Sequence, residues 1–251
     1  MTGEPVARIA MWSGPRNIST AMMRSFGARA DCAVSDEPFY AAYLVATGLI
    51  HPMREEVIAS QPTDWREVAG RLLGPPPEGK PVWYQKHMTH HMLPEFGRDW
   101  CDSLVNAFLI RAPEAVLASY SLKRDDFTLE EIGLPAQAEL FDRAADRLGR
   151  APPVVESQDV LADPRGVLSA LCAACGVPFD PAMLSWAPGR RATDGVWAPA
   201  WYEAVERSTK FAAPRREIGF DELPDALKPI AAAARPIYDR LAAHKLEASD
   251  S

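Results

Sequence analysis

Near the N-terminus, Arg8-Ile9-Ala10-Met11-Trp12-Ser13-Gly14-Pro15-Arg16-Asn17-Ile18-Ser19-Thr20-Ala21-Met22-Met23 packs an apolar run, a tight turn and a helix start into a short stretch. Ile18, Met22 and Phe26 recur every four residues, the spacing of one helix face, and Ser13-Gly14-Pro15 supplies the turn. A strand that turns sharply into a helix gathers the helix's unpaired N–H groups, the Arg16 guanidinium and the hydroxyls of Ser19 and Thr20 around one point. Such a point suits a phosphate or sulfate group. The same pattern also fits an ordinary opening of an α/β domain, so the remainder of the chain must decide between them.

The 251 residues suffice for a substantial core and are read as one α/β domain, 1–251. Formal charge is −7, which leaves no overall basic character to hold a nucleic acid, although a local basic pocket for a small anion stays open. No apolar run approaches the ~20 residues that cross a bilayer, and Met1 to Arg8 lacks the pattern of a signal peptide. The expectation is a cytoplasmic protein without nucleic-acid or membrane partners, with a homodimer left open. Cys172 and Cys175 share a helical face with Leu168 and Leu171, which reads as core packing, and no second ligand pair for a zinc ion accompanies them.

Apolar segments separated by helical stretches imply a parallel sheet with crossover helices. Strands are expected near Ala7 to Trp12, Ala33 to Ser35, Val82 to Lys86, Val105 to Ile110 and Val154 to Glu156. Helices are expected over Ala136 to Leu148 and Ile230 to Leu241, the second kinked or interrupted at Pro236. The Pro-rich Gly74 to Gly79 reads as a surface connection. From Trp186 to Glu217 periodicity is lost among Arg, Trp and Pro, and a long irregular segment of this kind is often a lid or binding loop.

A nucleoside triphosphatase loop starting at Gly14 would need Gly, Lys and Ser or Thr where this chain has Ser19, Thr20 and Ala21. The lysine and the metal-binding hydroxyl are both missing, so the loop is read as holding an anion without an obligatory metal. Arg111, at the end of an apolar run, precedes Pro113, which is pre-set for a first helical turn, and Ser119 follows two turns into that helix. The planar fork of Arg111 and the Ser119 hydroxyl together suit a second phosphate.

Pro15-Arg16-Asn17-Ile18-Ser19-Thr20 resembles the 5′-phosphosulfate loop of the sulfotransferase family, commonly Pro, Lys or Arg, Ser, Gly, Thr, Thr; Asn17 and Ile18 depart from it. Arg111-Ala112-Pro113 through Ser119 is similar to the family's 3′-phosphate motif. Arg190-Arg191-Ala192-Thr193-Asp194-Gly195-Val196-Trp197 is similar to its C-terminal nucleotide loop, with Ala192 replacing the first Gly. The resemblance implies a P-loop NTPase-like three-layer fold, with a central parallel sheet between helices and a lid-like region at about 186–217. It implies transfer of a sulfuryl group from 3′-phosphoadenosine 5′-phosphosulfate to a hydroxyl or amine of a small-molecule acceptor, with no metal. The nucleotide would be held by Ser13, Gly14, Pro15, Arg16, Asn17, Ile18, Ser19, Thr20, Arg111, Ser119, Arg190, Arg191, Gly195 and Trp197.

Such a transfer needs a base for the acceptor's proton and positive charge for the departing phosphate oxygen. His87, beside Lys86 at a strand end, and Glu37, just after the second strand, are the two candidate bases that the resemblance suggests, and Arg16 would serve the leaving phosphate. Acceptor recognition is expected from Phe39, Tyr40, Tyr43, the helices between Ala46 and Gly74, and Trp186, Trp197 and Trp201. A P-loop kinase and a non-catalytic nucleotide-binding module are the alternative readings.

Overall fold

In a computed structural model, the described residues are 6–122, 127–214, 216 and 218–249. Glu217, the expected far end of the irregular segment, lies outside them. Five parallel strands, β1 Ala7–Ser13, β2 Cys32–Asp36, β3 Val82–Met88, β4 Val105–Ile110 and β5 Val154–Glu156, form one sheet in the order β2-β3-β1-β4-β5. Each expected strand is present, and β1, β2 and β3 run a residue or more further at their ends.

Parallel strands buried on both faces read as nearly continuous apolar runs, and β1 does so because it is central. Ala10 and Trp12 face one core with Phe108, Val154 and the helices α4 Trp65–Leu73, α5 Pro113–Tyr120, α6 Leu134–Leu148 and α11 Lys228–Ala242. Ile9 and Met11 face the other, with α1 Ser19–Gly27, α2 Tyr40–Thr47, α3 Arg54–Ser60 and α8 Pro164–Ala174. This is the expected α/β architecture with a central parallel sheet flanked by helices. Cys172 and Cys175 are buried and unbridged in the second core, as expected of packing residues. The helix at Pro236 departs from expectation: α11 runs from Lys228 to Ala242 without interruption.

The chain leaves β1 toward β2 on one side and leaves β4 toward β5 on the other. Ligands of open α/β sheets bind where the winding reverses, beyond the carboxyl ends of the strands. The stretch after β1 and Arg111 after β4 both sit at that reversal, between adjacent strands.

Candidate active site

The loop from β1 into α1 is built from left-handed backbone at two non-glycine residues, Arg16 at φ 63° and Ile18 at φ 55°. Such a conformation costs an L-residue about 1–2 kcal/mol and persists where the surroundings over-determine it. Here Asn17 donates to the Leu109 carbonyl at 3.2 Å, Ser157 donates to the Asn17 carbonyl at 3.2 Å, and Arg111 donates to the Arg16 carbonyl at 2.6 Å. The glycine that the family resemblance would place at position 18 is therefore not required for its backbone shape. Gly14 is required, because a Cβ there would stand 2.3 Å from the Ile132 carbonyl oxygen. No side chain caps the start of α1, so its first-turn N–H groups are directed at the adjoining space.

That space is a cavity of ≈ 320 Å³, walled by Pro15 to Ala21, Arg111 and Ser119 on one side. The Arg16 Nε donates to the Ser119 hydroxyl at 2.9 Å, so the two phosphate motifs meet at one wall. Ser208 and Lys210 of the irregular C-terminal segment also line the cavity, adding a hydroxyl and a cation that sequence reasoning did not single out.

The other end holds Glu37, Tyr40, His51, Lys86, Met88, His90, His91, Trp201 and Tyr202. Glu37 sits just past β2 at φ 40°, a third left-handed non-glycine residue at the site. The Lys86 ammonium donates to Glu37 at 2.6 Å, to Asp36 at 2.9 Å and to the Tyr202 hydroxyl at 2.6 Å. Burial pushes the Glu37 carboxyl above its ordinary range; the Lys86 charge opposes that rise and the Asp36 charge reinforces it. The Lys86 ammonium is held above its ordinary range, because two carboxylates outweigh its own burial.

His87 does not join this cavity. Strand side chains alternate between faces, so Lys86 points to the cavity and His87 points into the opposite core, stacked on Trp12 at 4.4 Å. Its Nε2 meets only the Gln85 amide oxygen, at 3.2 Å, and burial lowers its pKa to about 3. Of the two candidate bases, the structure brings only Glu37 to the cavity.

The third expected nucleotide motif is also placed elsewhere. Arg190 is exposed, Arg191 is bonded to the Ala187 carbonyl, and Trp197 is buried with its indole N–H on Tyr202. None of Arg190, Arg191, Gly195 and Trp197 lines the cavity. The segment instead anchors itself, with Asp194 paired to Arg24 of α1 at 2.6 Å and the Gly195 N–H on Asp36 at 3.0 Å. The expected lid thus divides into an anchoring part around 191–197 and a part, α9 Ala198–Trp201 to residue 212, that walls the cavity. Among the expected acceptor residues, Tyr40 and Trp201 reach the cavity, whereas Phe39, Trp186 and Trp197 pack into the cores. Tyr43 stacks on His91.

Fold and cavity together define an α/β protein with a cavity at the reversal of its sheet and a buried acid–lysine cluster in that cavity's wall. Residues 7–245 match the sulfotransferase domain family, and the chain belongs to that family. Its sequence is 32% and 33% identical over 208 residues to branched-chain-amino-acid aminotransferase-like proteins 2 and 1 of Arabidopsis thaliana. These matches cover 83% of this chain and 37% of each relative, so the chain spans little more than a third of their length. Its fold is similar to a sulfotransferase from Alicyclobacillus acidocaldarius, with TM-score 0.57, 15% identity and 98% of both chains covered. It is also similar to the sulfotransferase domain of the Synechococcus PCC 7002 olefin synthase, with TM-score 0.56, 19% identity and 97% of both chains covered. The sulfotransferase domain of the curacin biosynthetic pathway superposes with TM-score 0.52 and 16% identity, over 93% of this chain and 99% of that one. No helix among the described residues is long and apolar enough to cross a membrane.

Proposed function

We propose that this protein transfers a sulfuryl group from 3′-phosphoadenosine 5′-phosphosulfate to a hydroxyl or amine of a small-molecule acceptor. The observation that carries this reading is that one cavity joins Arg16, Arg111 and Ser119 to Glu37, a carboxylate that burial holds above its ordinary range. Hydroxyls, guanidinium groups and unpaired helix N–H groups form a donor set suited to oxyanions. Ser19, Thr20 and the start of α1 would hold the phosphosulfate, and Arg111 with Ser119 the 3′-phosphate. The co-substrate supplies an electrophilic sulfur on a good leaving group.

The chain's own residues supply the rest. Glu37 accepts the acceptor's proton as the new bond to sulfur forms and the bond to the phosphate oxygen breaks, and Arg16 offsets the negative charge that gathers on that oxygen. Lys86, one residue from the expected imidazole, adds fixed positive charge at the acceptor end. The aromatic and imidazole walls from Tyr40, His91 and Trp201 suit an acceptor with an apolar body. The aminotransferase in the relatives' names is not carried over, since Lys86 is held protonated between two carboxylates, the wrong state for a Schiff-base lysine. Incubation with a radiolabelled sulfuryl donor and a panel of phenols, alcohols and amines tests the reading. Label appearing in at least one acceptor supports it, and label in none, with donor hydrolysis also absent, contradicts it.

A further inference from the structure

Two carboxylates share one ammonium beside the cavity, and they share it unequally. Lys86 is 1% exposed and has three N–H donors. All three are engaged, by Asp36, Glu37 and Tyr202. Asp36 is satisfied from three sides, by Lys86 at 2.9 Å, by the Tyr202 hydroxyl at 2.8 Å and by the Gly195 N–H at 3.0 Å. Glu37 has the Lys86 contact at 2.6 Å, and the Tyr202 hydroxyl is 3.5 Å away. Tyr202 is itself fixed by the Trp197 indole N–H at 3.1 Å. Two of the three bonds to Asp36 therefore come from the anchored C-terminal segment.

We propose that Asp36, held in place by Tyr202 and the Gly195 N–H, is a positioning residue, which draws the Lys86 charge away from Glu37 and so keeps Glu37 basic enough to take the acceptor's proton. The proposal rests on Glu37 being the base. If Lys86 faced Glu37 alone, the pair would neutralise each other and Glu37 would hold a proton poorly. With Asp36 claiming the same ammonium, the cluster carries one negative charge in excess, and the excess falls on the carboxylate with fewer donors. The cavity that Glu37 lines also holds the titratable groups of Tyr40 on α2, His51 in the connection to α3, His90 and His91 after β3, Arg16 in the loop before α1, Arg111 after β4, Tyr120 on α5, and Tyr202 and Lys210 in the C-terminal segment. His91 is kept neutral by burial, and the phenol of Tyr40 likewise. Asp36 thus faces Glu37 as a buried like charge across one ammonium, and its removal has a definite sign.

The test is the pH profile of kcat/KM for the intact protein, measured on Asp36→Asn, Tyr202→Phe and Glu37→Gln. Neutralising Asp36 leaves Lys86 to Glu37, so the acid limb is expected to move down by about one pH unit or more. On the plateau kcat falls, because a weaker base is less effective, while KM for the acceptor changes little. Tyr202→Phe removes a hydroxyl that bonds Lys86, Asp36 and Glu37 together, so its acid limb moves less than that of Asp36→Asn. A fall in kcat with the acid limb of Asp36→Asn unmoved would overturn the proposal, since a purely structural role lowers activity without shifting the limb. Should Asp36→Asn fail to fold, Asp36→Ala removes the same charge and is expected to move the limb the same way, an unmoved limb again overturning the proposal. Glu37→Gln separates this from the parent reading: if it keeps both activity and the acid limb, Glu37 is not the base, whatever the other two variants do. Infrared or carbon NMR titration of the Glu37 carboxyl gives the same shift without turnover.

Discussion

The Arg16 guanidinium and the Ser119 hydroxyl lie 2.9 Å apart although 103 residues separate them in the chain. One belongs to the loop after β1 and the other to the helix after β4, and adjacent parallel strands deliver both to the same wall. Their contact ties the proposed phosphosulfate end of the cavity to the proposed 3′-phosphate end, so each residue should affect the nucleotide as a whole. Ser119→Ala removes a neutral hydroxyl and is expected to weaken binding of 3′-phosphoadenosine 5′-phosphate by about 0.5–1.5 kcal/mol. Calorimetric titration of the variant measures this directly.

Arg111 and Arg190 separate two accounts of the second phosphate site. Arg111 lines the cavity, and Arg190 is exposed outside it. Loss of a charged donor costs about 1.5–3 kcal/mol. Arg111→Ala should therefore weaken the bisphosphate roughly 10- to 150-fold, and Lys210→Ala should weaken it in the same direction. Arg190→Ala should leave the affinity close to that of the wild type.

Gly14 is a steric requirement of the loop. A methyl group there meets the Ile132 carbonyl oxygen, which is backbone and cannot swing aside. Overpacking of this kind costs about 1–3 kcal/mol. Gly14→Ala is expected to lower the denaturant midpoint by that amount and to disturb nucleotide binding with it.

His87 is a probe of stability and not of turnover. Its folded-state pKa, about 3, lies below the ~6.5 of an unfolded chain. Between those values the unfolded state binds the proton and the folded state does not, so stability falls as pH drops below about 6.5. The slope from one such group is at most ~1.4 kcal/mol per pH unit. Melting temperature should decline through this window more steeply in the wild type than in His87→Leu. The His87→Leu variant should also keep the acid limb of kcat/KM where the wild type has it, because the ring faces Trp12 and not the cavity.

The strands were legible because burial on both sheet faces demands unbroken apolar runs, and the run in β1 is the clearest of them. The strand-to-helix form of the segments after β1 and β4 was legible because each is local, a strand end plus the first turns of one helix. Choosing between His87 and Glu37 was harder for a geometric reason. Adjacent strand residues face opposite ways, and nothing in Gln85-Lys86-His87 says which parity meets the cavity until the sheet is assembled. The region around Arg190 misled for another reason. Its shape is set by distant partners, Arg24 for Asp194 and Asp36 for Gly195, and no local pattern records them. Tyr202 and Lys210 were missed because they lie in that same irregular segment. Ile18, which breaks the motif's expected glycine, takes the left-handed conformation all the same, in a loop fixed by the bonds of its neighbours Arg16 and Asn17 to β4, Arg111 and Ser157.

The central claim is that the loop opened by Ser13-Gly14-Pro15 and the wall bearing Arg111 and Ser119 form a single nucleotide site. Titrating the intact protein with 3′-phosphoadenosine 5′-phosphate by calorimetry tests it most directly. The account predicts saturable binding at one site per chain, weakened by Arg111→Ala and by Ser119→Ala but not by Arg190→Ala. Absence of heat at millimolar nucleotide, or binding indifferent to Arg111, would contradict it.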